Sequence, residues 1–174
     1  MMNKRKSDDP RKYREYIKQE THWVWGKRYQ FSVVEQKGSP VVDLQTKKLI
    51  LRIGADTDIA TRSHFLKQWY RNQLRAAAYE LVGKWETRLQ VKAASVFVRA
   101  MDDVWGSCNP QKRTIRLNAA LVHKSPDCLE YIIVHELAHL IEQGNDHSLT
   151  AVLHNALPNW EAVRDHLNQS TLTY

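Results

Sequence analysis

The segment from Ser125 to Gly144, "SPDCLEYIIVHELAHLIEQG", restricts the fold more than any other part of the chain. Ser125 offers a capping hydroxyl, Pro126 suits a first helical turn, and Asp127 sits where the helix dipole favours negative charge. Gly144 supplies a stop, so the spacing predicts a helix from Pro126 to about Gln143. Ile132, Ile133, Val134, Leu137, Ala138, Leu140 and Ile141 make that helix apolar on most sides, and it must be buried. His135, Glu136 and His139 interrupt this apolar surface. Burying imidazoles there is costly unless something binds them.

The spacing His-Glu-x-x-His suggests what binds. Four residues turn a helix by about 400°, so His135 and His139 project from nearly one face, a single turn apart. Two imidazole nitrogens at that separation can grip one Zn²⁺ at roughly 2.0–2.1 Å. Glu136, about 100° further round, can reach a water on the metal without being a ligand. A third ligand is needed. His147 is the first candidate, because a turn at Gly144 can fold it back over the helix end. His154 is the second, with Glu142 and Glu161 behind it. Cys128 precedes His135 by seven residues, about 10 Å along the axis, too far to close the site. The expected chemistry is hydrolysis of a carbonyl compound by a zinc-bound water that Glu136 activates. Arg116, Asn118, His123 and Tyr131 are candidate donors to the oxyanion.

Upstream, residues 1–20 read as a basic polar arm. Residues 21–55 carry β-branched and aromatic residues punctuated by Gly26 and Gly38-Ser39-Pro40, which reads as a small antiparallel meander packed on the core. Trp23, Trp25 and Tyr29 are expected to pack that layer. Residues 56–174 form the domain that contains the histidine helix. It begins with a helical region from Asp56 or Thr57, either one long helix or two, with Lys67, Arg71 and Arg75 on a solvent stripe. "ASVFVRAMDDVWGSC" and "TIRLNAAL" then read as a hairpin turning at Asn109-Pro110. Within it, Trp105 is expected to fill core, Gly106 to permit a tight backbone, and Cys108 to pack as a small hydrophobe. Two further helices follow, over about residues 148–156 and after Pro158. His22, His64, His123 and His166 read as surface or packing residues.

Charge is unevenly divided. Residues 1–125 carry 25 Lys/Arg and 12 Asp/Glu, whereas residues 126–174 carry one and seven. The basic part offers a surface for nucleic acid or another acidic partner, and the acidic part is the one that would hold a cation. No run of about 18 apolar residues exists, so no membrane span is expected. The charged start lacks a secretory apolar stretch and two cysteines make no disulfide framework, so the expected location is the cytoplasm.

Several motifs converge on one family. "VWGSCNPQKRTIRLNAALVHKSPDCLEYIIVHELAHL" with the later "NDHS" resembles the YgjP-like metallopeptidases, as do "WVWGKRYQF", "LKQWYRNQL" and "RAMDDVWGSC" upstream. The resemblance covers about residues 21–168 and extends in its core to SprT-like and minimal zincin peptidases. It implies an α+β fold, with the meander followed by a minimal zincin-like domain built of a β hairpin and an HExxH active-site helix. It implies zinc at His135, His139 and His147, Glu136 as base, and a peptide or protein substrate lying along strand 114–118 as a β-augmenting edge. The alternatives it leaves open are a nucleic-acid-associated, SprT-like protease or processing factor, and a zinc hydrolase of a non-peptide substrate such as a nucleotide. Three positions depart from the family pattern: Val104 replaces an arginine, "IEQGND" looks two residues longer than usual, and Ala151-Val152 stand in place of Phe-Trp.

Overall fold

The computed structural model describes residues 20–141 and 146–170, apart from the side chains of Asp146 and His147. The basic arm, Glu142 and the Gly144 stop therefore lie outside the described residues. The chain divides into two compact units. The first holds His22 and Tyr29–Leu66, and the second holds Trp23–Arg28 and the chain from Lys67 onward.

Strands β1 (Thr21–Val24), β2 (Lys27–Glu35), β3 (Val41–Leu44) and β4 (Lys48–Ile53) make one sheet in the order β1-β2-β4-β3, which belongs to the first unit apart from residues 23–24 and 27–28. Its register pairs β2 with β4 in parallel, Phe31 opposite Leu49 and Val33 opposite Leu51, while β3 and β4 are antiparallel. The layer is thus mixed, not the antiparallel meander expected from sequence. Composition explains the change. Strand β4 buries Leu49, Ile50, Leu51 and Ile53, so it is apolar on both faces and belongs inside a sheet. Strand β3 is mostly exposed and suits an edge. Phe31 and Val33 alternate inward from β2 onto this core.

Helix α1 (Ile59–Leu89) runs from the first unit into the second. It starts two to three residues later than expected, because Asp58 Oδ1 accepts the Thr61 N–H at 2.8 Å and caps it. Tyr70, Leu74, Ala78, Val82 and Trp85 form its buried stripe. Gln90, at φ 53°, ends the helix in the left-handed region.

The second unit then adds β5 (Ser95–Arg99), β6 (Gly106–Asn109) and β7 (Thr114–Asn118) in the order β5-β7-β6. The segment read from sequence as one long strand before the turn is two strands. The β6–β7 hairpin forms as expected, and its turn is opened by Asn109, whose Oδ1 accepts the Lys112 N–H at 2.8 Å. A 3-10 segment (Ala119–His123) leads into α2 (Pro126–Ile141), followed by α3 (Asp146–Ala156) and α4 (Trp160–Asn168). Helix α2 is the centre of this core: Leu129, Ile133, Val134, Leu137 and Ala138 are at most 1% exposed. It packs against β6 and β7 on one side and α3 and α4 on another.

Three contacts fix the approach to α2. The Trp25 N–H donates to Val122 O at 2.8 Å. His123 Nδ1 lies 2.6 Å from Trp23 O. Gly26, at φ 75°, leaves room for Ser125, whose Cα would stand 3.2 Å from a Cβ there. On α2 itself, Glu130 Oε1 accepts from Lys84 Nζ at 2.6 Å and from Trp85 Nε1 at 2.8 Å, tying the helix to α1.

Candidate metal centre

The geometry follows from the helical repeat. His135 and His139 lie one turn apart on the half-buried face of α2, with ring centroids 4.9 Å apart and planes at 81°. Their Nε2 atoms are 3.2 Å apart. Two nitrogens bound to one tetrahedral zinc at the usual bond length stand about 3.3 Å apart, so the pair already has the spacing of two ligands. His135 Nδ1 is buried and has no hydrogen-bond partner among the described residues. Burial, and then the neighbouring His139, push His135 down to about 4, which keeps it in the neutral form that binds metals.

Glu136 is 5% exposed and projects from a different side of the helix, toward β6. Burial pushes its carboxyl up to about 8. Its Oε1 and the Ile132 Cγ2 would each lie 2.6 Å from a Cβ at position 106. Gly106 therefore lets β6 run directly across the carboxylate. The sequence marked Gly106 as a position of tight backbone, but its neighbour thirty residues on is a tertiary fact without a local signal. Cys108, two residues along the same face, is pushed up to about 11 by burial and then by Glu136, so it is a protonated thiol, not a nucleophile.

Two imidazoles of matched spacing, one with an orphaned nitrogen, beside a buried carboxyl, suit a divalent cation. Among the described residues no set of three His, Cys, Asp or Glu is arranged around a common point. His154 does not join the pair; its Nδ1 accepts from Trp160 Nε1 at 3.3 Å. Glu161 is exposed on α4, and Cys128 is fully buried with its Sγ 3.4 Å from the Ser125 hydroxyl. The backbone at His147 stands in the first turn of α3, but its side chain lies outside the described residues, as does Glu142.

The four candidate oxyanion donors have other surroundings. Asn118 is buried and spent: its Nδ2 donates to Met101 O and Val104 O, both at 2.8 Å, and its Oδ1 accepts from Ala120 N at 3.1 Å. It thereby holds the loop that leads into Trp105 and Gly106. Arg116 is exposed on the sheet face opposite to Ile115 and Leu117, which are fully buried, so it points away from α2. His123 is engaged by Trp23 O and the Tyr70 ring, 4.7 Å away. Tyr131 lies beneath His135 at 5.8 Å and stacks on Trp160 at 6.2 Å. It remains the one of the four near the histidine pair.

Strand 114–118 is not an edge. It is β7, flanked by β5 and β6. Among the described residues the edge strand beside Glu136 is β6. The Asn118 N–H donates to Trp105 O at 2.9 Å, and the register pairs Ser107 with Arg116 and Asn109 with Thr114. Positions 105, 107 and 109 therefore face β7, and the N–H and C=O groups of Gly106 and Cys108 point outward from the sheet.

The family model for the YgjP-like metallopeptidase domain matches residues 2–170. Among solved structures, the metallopeptidase zymogen abylysin of Pyrococcus abyssi matches at 18% identity with a TM-score of 0.49, over 56% of this chain and 99% of its own. The metallopeptidase zymogen jannalysin of Methanocaldococcus jannaschii matches at 21% identity with a TM-score of 0.48, over 53% of this chain and 94% of its own. No curated protein matches. Among the described residues no helix is long and apolar enough to cross a membrane. With a mixed α+β fold and a family match over nearly its whole length, the chain belongs to the YgjP-like metallopeptidases.

Proposed function

We propose that the protein is a zinc-dependent peptidase in which His135, His139 and His147 hold the ion and Glu136 carries the proton. The observation that supports it most is the 3.2 Å separation of the two Nε2 atoms next to a buried carboxyl that abuts an edge strand. A zinc ion bound there supplies the positive charge that polarises the scissile carbonyl and acidifies water. The protein's own groups do the rest. The outward N–H and C=O groups of Gly106 and Cys108 pair with an extended peptide and align it along β6. Lacking a side chain, Gly106 lets that peptide pass close to Glu136. The charge of a bound ion would favour the ionised form of Glu136 against the burial that raises it, and the carboxylate then accepts the proton of the attacking water and returns it to the leaving amine nitrogen. The apolar walls of α2 keep bulk water from competing for that proton.

Glu136→Gln tests the reading. The amide keeps the size of the side chain and cannot take a proton. The zinc-loaded variant should retain its metal and lose about 10²–10⁴-fold in turnover of any peptide the wild type cuts. Turnover at the wild-type rate would remove Glu136 from the mechanism. Metal analysis of His139→Ala tests the ligand pair separately, and an unchanged zinc content would remove it.

A further inference from the structure

We propose that Arg116 selects peptides with an acidic side chain at the residue lying beside Ser107. This rests on the peptidase reading above and adds a substrate class to it. An extended peptide on the β6 edge bonds through Gly106 and Cys108, so its side chains at those two levels turn inward, to the face of the sheet that meets Glu136. The residue between them sits beside Ser107 and turns outward, onto the other face of the sheet. That face is set by the register. Phe97, Arg116 and Ser107 form one row across β5, β7 and β6. Ser95 and Arg99 on β5, Thr114 and Asn118 on β7, and Asn109 on β6 share that face, with no acidic side chain on any of the three strands.

Arg116 is exposed at the middle of this row, and among the described residues it has no carboxylate partner. The bulky Phe97 ring flanks it on one side and already has Arg99 5.7 Å from its centroid. The small Ser107 flanks it on the other. A serine fills little of the space between Arg116 and the edge where the peptide would sit. The incoming Cα would be about 10 Å from that of Arg116, twice the strand spacing, a gap that an arginine and a glutamate bridge between them. A guanidinium there pairs with a carboxylate, tolerates a neutral side chain and repels a lysine.

The test starts from a peptide cut by the zinc-loaded wild type, found by screening a random library. Glu, Gln and Lys are then placed in turn at each residue around the cleaved bond, and kcat/KM is measured for wild type and Arg116→Glu. The expected result is a single position at which wild type prefers Glu to Lys by at least about fivefold, and at which Arg116→Glu prefers Lys to Glu. Loss of a merely structural side chain would lower all rates together and would not invert a preference. Arg116→Gln, which should prefer neither, guards against a folding defect in the charge swap. A wild type with no charge preference at any position, or a preference that Arg116→Glu leaves unchanged, overturns the role of Arg116 and leaves the peptidase reading standing. Failure to cut any library member overturns the peptidase reading and the role of Arg116 with it.

Discussion

A methyl group at position 106 would lie 2.6 Å from Glu136 Oε1 and 2.6 Å from Ile132 Cγ2, well inside normal contact. Neither neighbour can easily yield, since Ile132 and Glu136 are both buried on α2. Gly106→Ala should therefore lower stability by about 1–3 kcal/mol through overpacking. It should also displace the carboxylate, and a shift of about 1 Å in such a group costs roughly 10²-fold in rate. Zinc content should be unchanged, because the atoms that a Cβ at 106 would meet belong to Glu136 and Ile132 and not to either imidazole. Thermal unfolding, metal analysis and turnover on one sample check all three, and wild-type turnover would show that the glycine does not position Glu136. At this scale the sequence disclosed what depends on local spacing. His135 and His139 were legible because four residues make about one turn. Asn118 and Arg116 were misread as oxyanion donors because the face of a strand that meets a helix cannot be told from five residues alone. The packing of Glu136 against Gly106 was illegible for the same reason: it joins two elements far apart in sequence.

Helix α2 is held in place from several sides, and one of its ties titrates. Burial raises the Glu130 carboxyl, but hydrogen bonds from Lys84 and Trp85, with the charges of Lys84 and Arg88, outweigh it and leave the group below its ordinary 4.5. A carboxyl lowered by folding stabilises the native state above its unfolded value, and that stability is lost as pH falls through the folded value. Glu130→Gln keeps an acceptor for Trp85 Nε1 and loses the charge facing Lys84. It should cost about 1 kcal/mol at pH 7, with the difference from wild type shrinking as pH falls below 4.5. Denaturant midpoints measured from pH 3 to pH 7 decide it, and a difference independent of pH would mean that packing, not charge, ties α2 to α1. The sequence disclosed α2 with its first turn because its caps and its apolar run agree. It did not disclose strand order. Both sheets place later strands between earlier ones, β4 beside β2 and β7 beside β5, and such non-local pairing leaves no periodic trace.

The molecule as a whole places its charges unevenly, with one Lys/Arg against seven Asp/Glu in residues 126–174, the stretch that carries the histidine pair. Folding already brings the two Nε2 atoms to 3.2 Å, where one ring can donate to the other, and holds them at the spacing of two ligands of one ion. In the unfolded chain that arrangement is lost. A cation that bridges the pair binds the folded state far better than the unfolded one, so it must raise the unfolding temperature. At a free zinc concentration a hundredfold above the dissociation constant the gain is about 2.7 kcal/mol, which for a chain of this size is roughly 5–10 °C. Chelator-treated protein should show that rise when zinc is restored. His139→Ala should abolish it, since one imidazole cannot bridge. Glu136→Gln should keep it, and removing a buried carboxyl of raised affinity for protons should not diminish it. A rise that persists in His139→Ala would mean that zinc stabilises the chain elsewhere, and the helix pair would then have to be explained as a packed core feature after all.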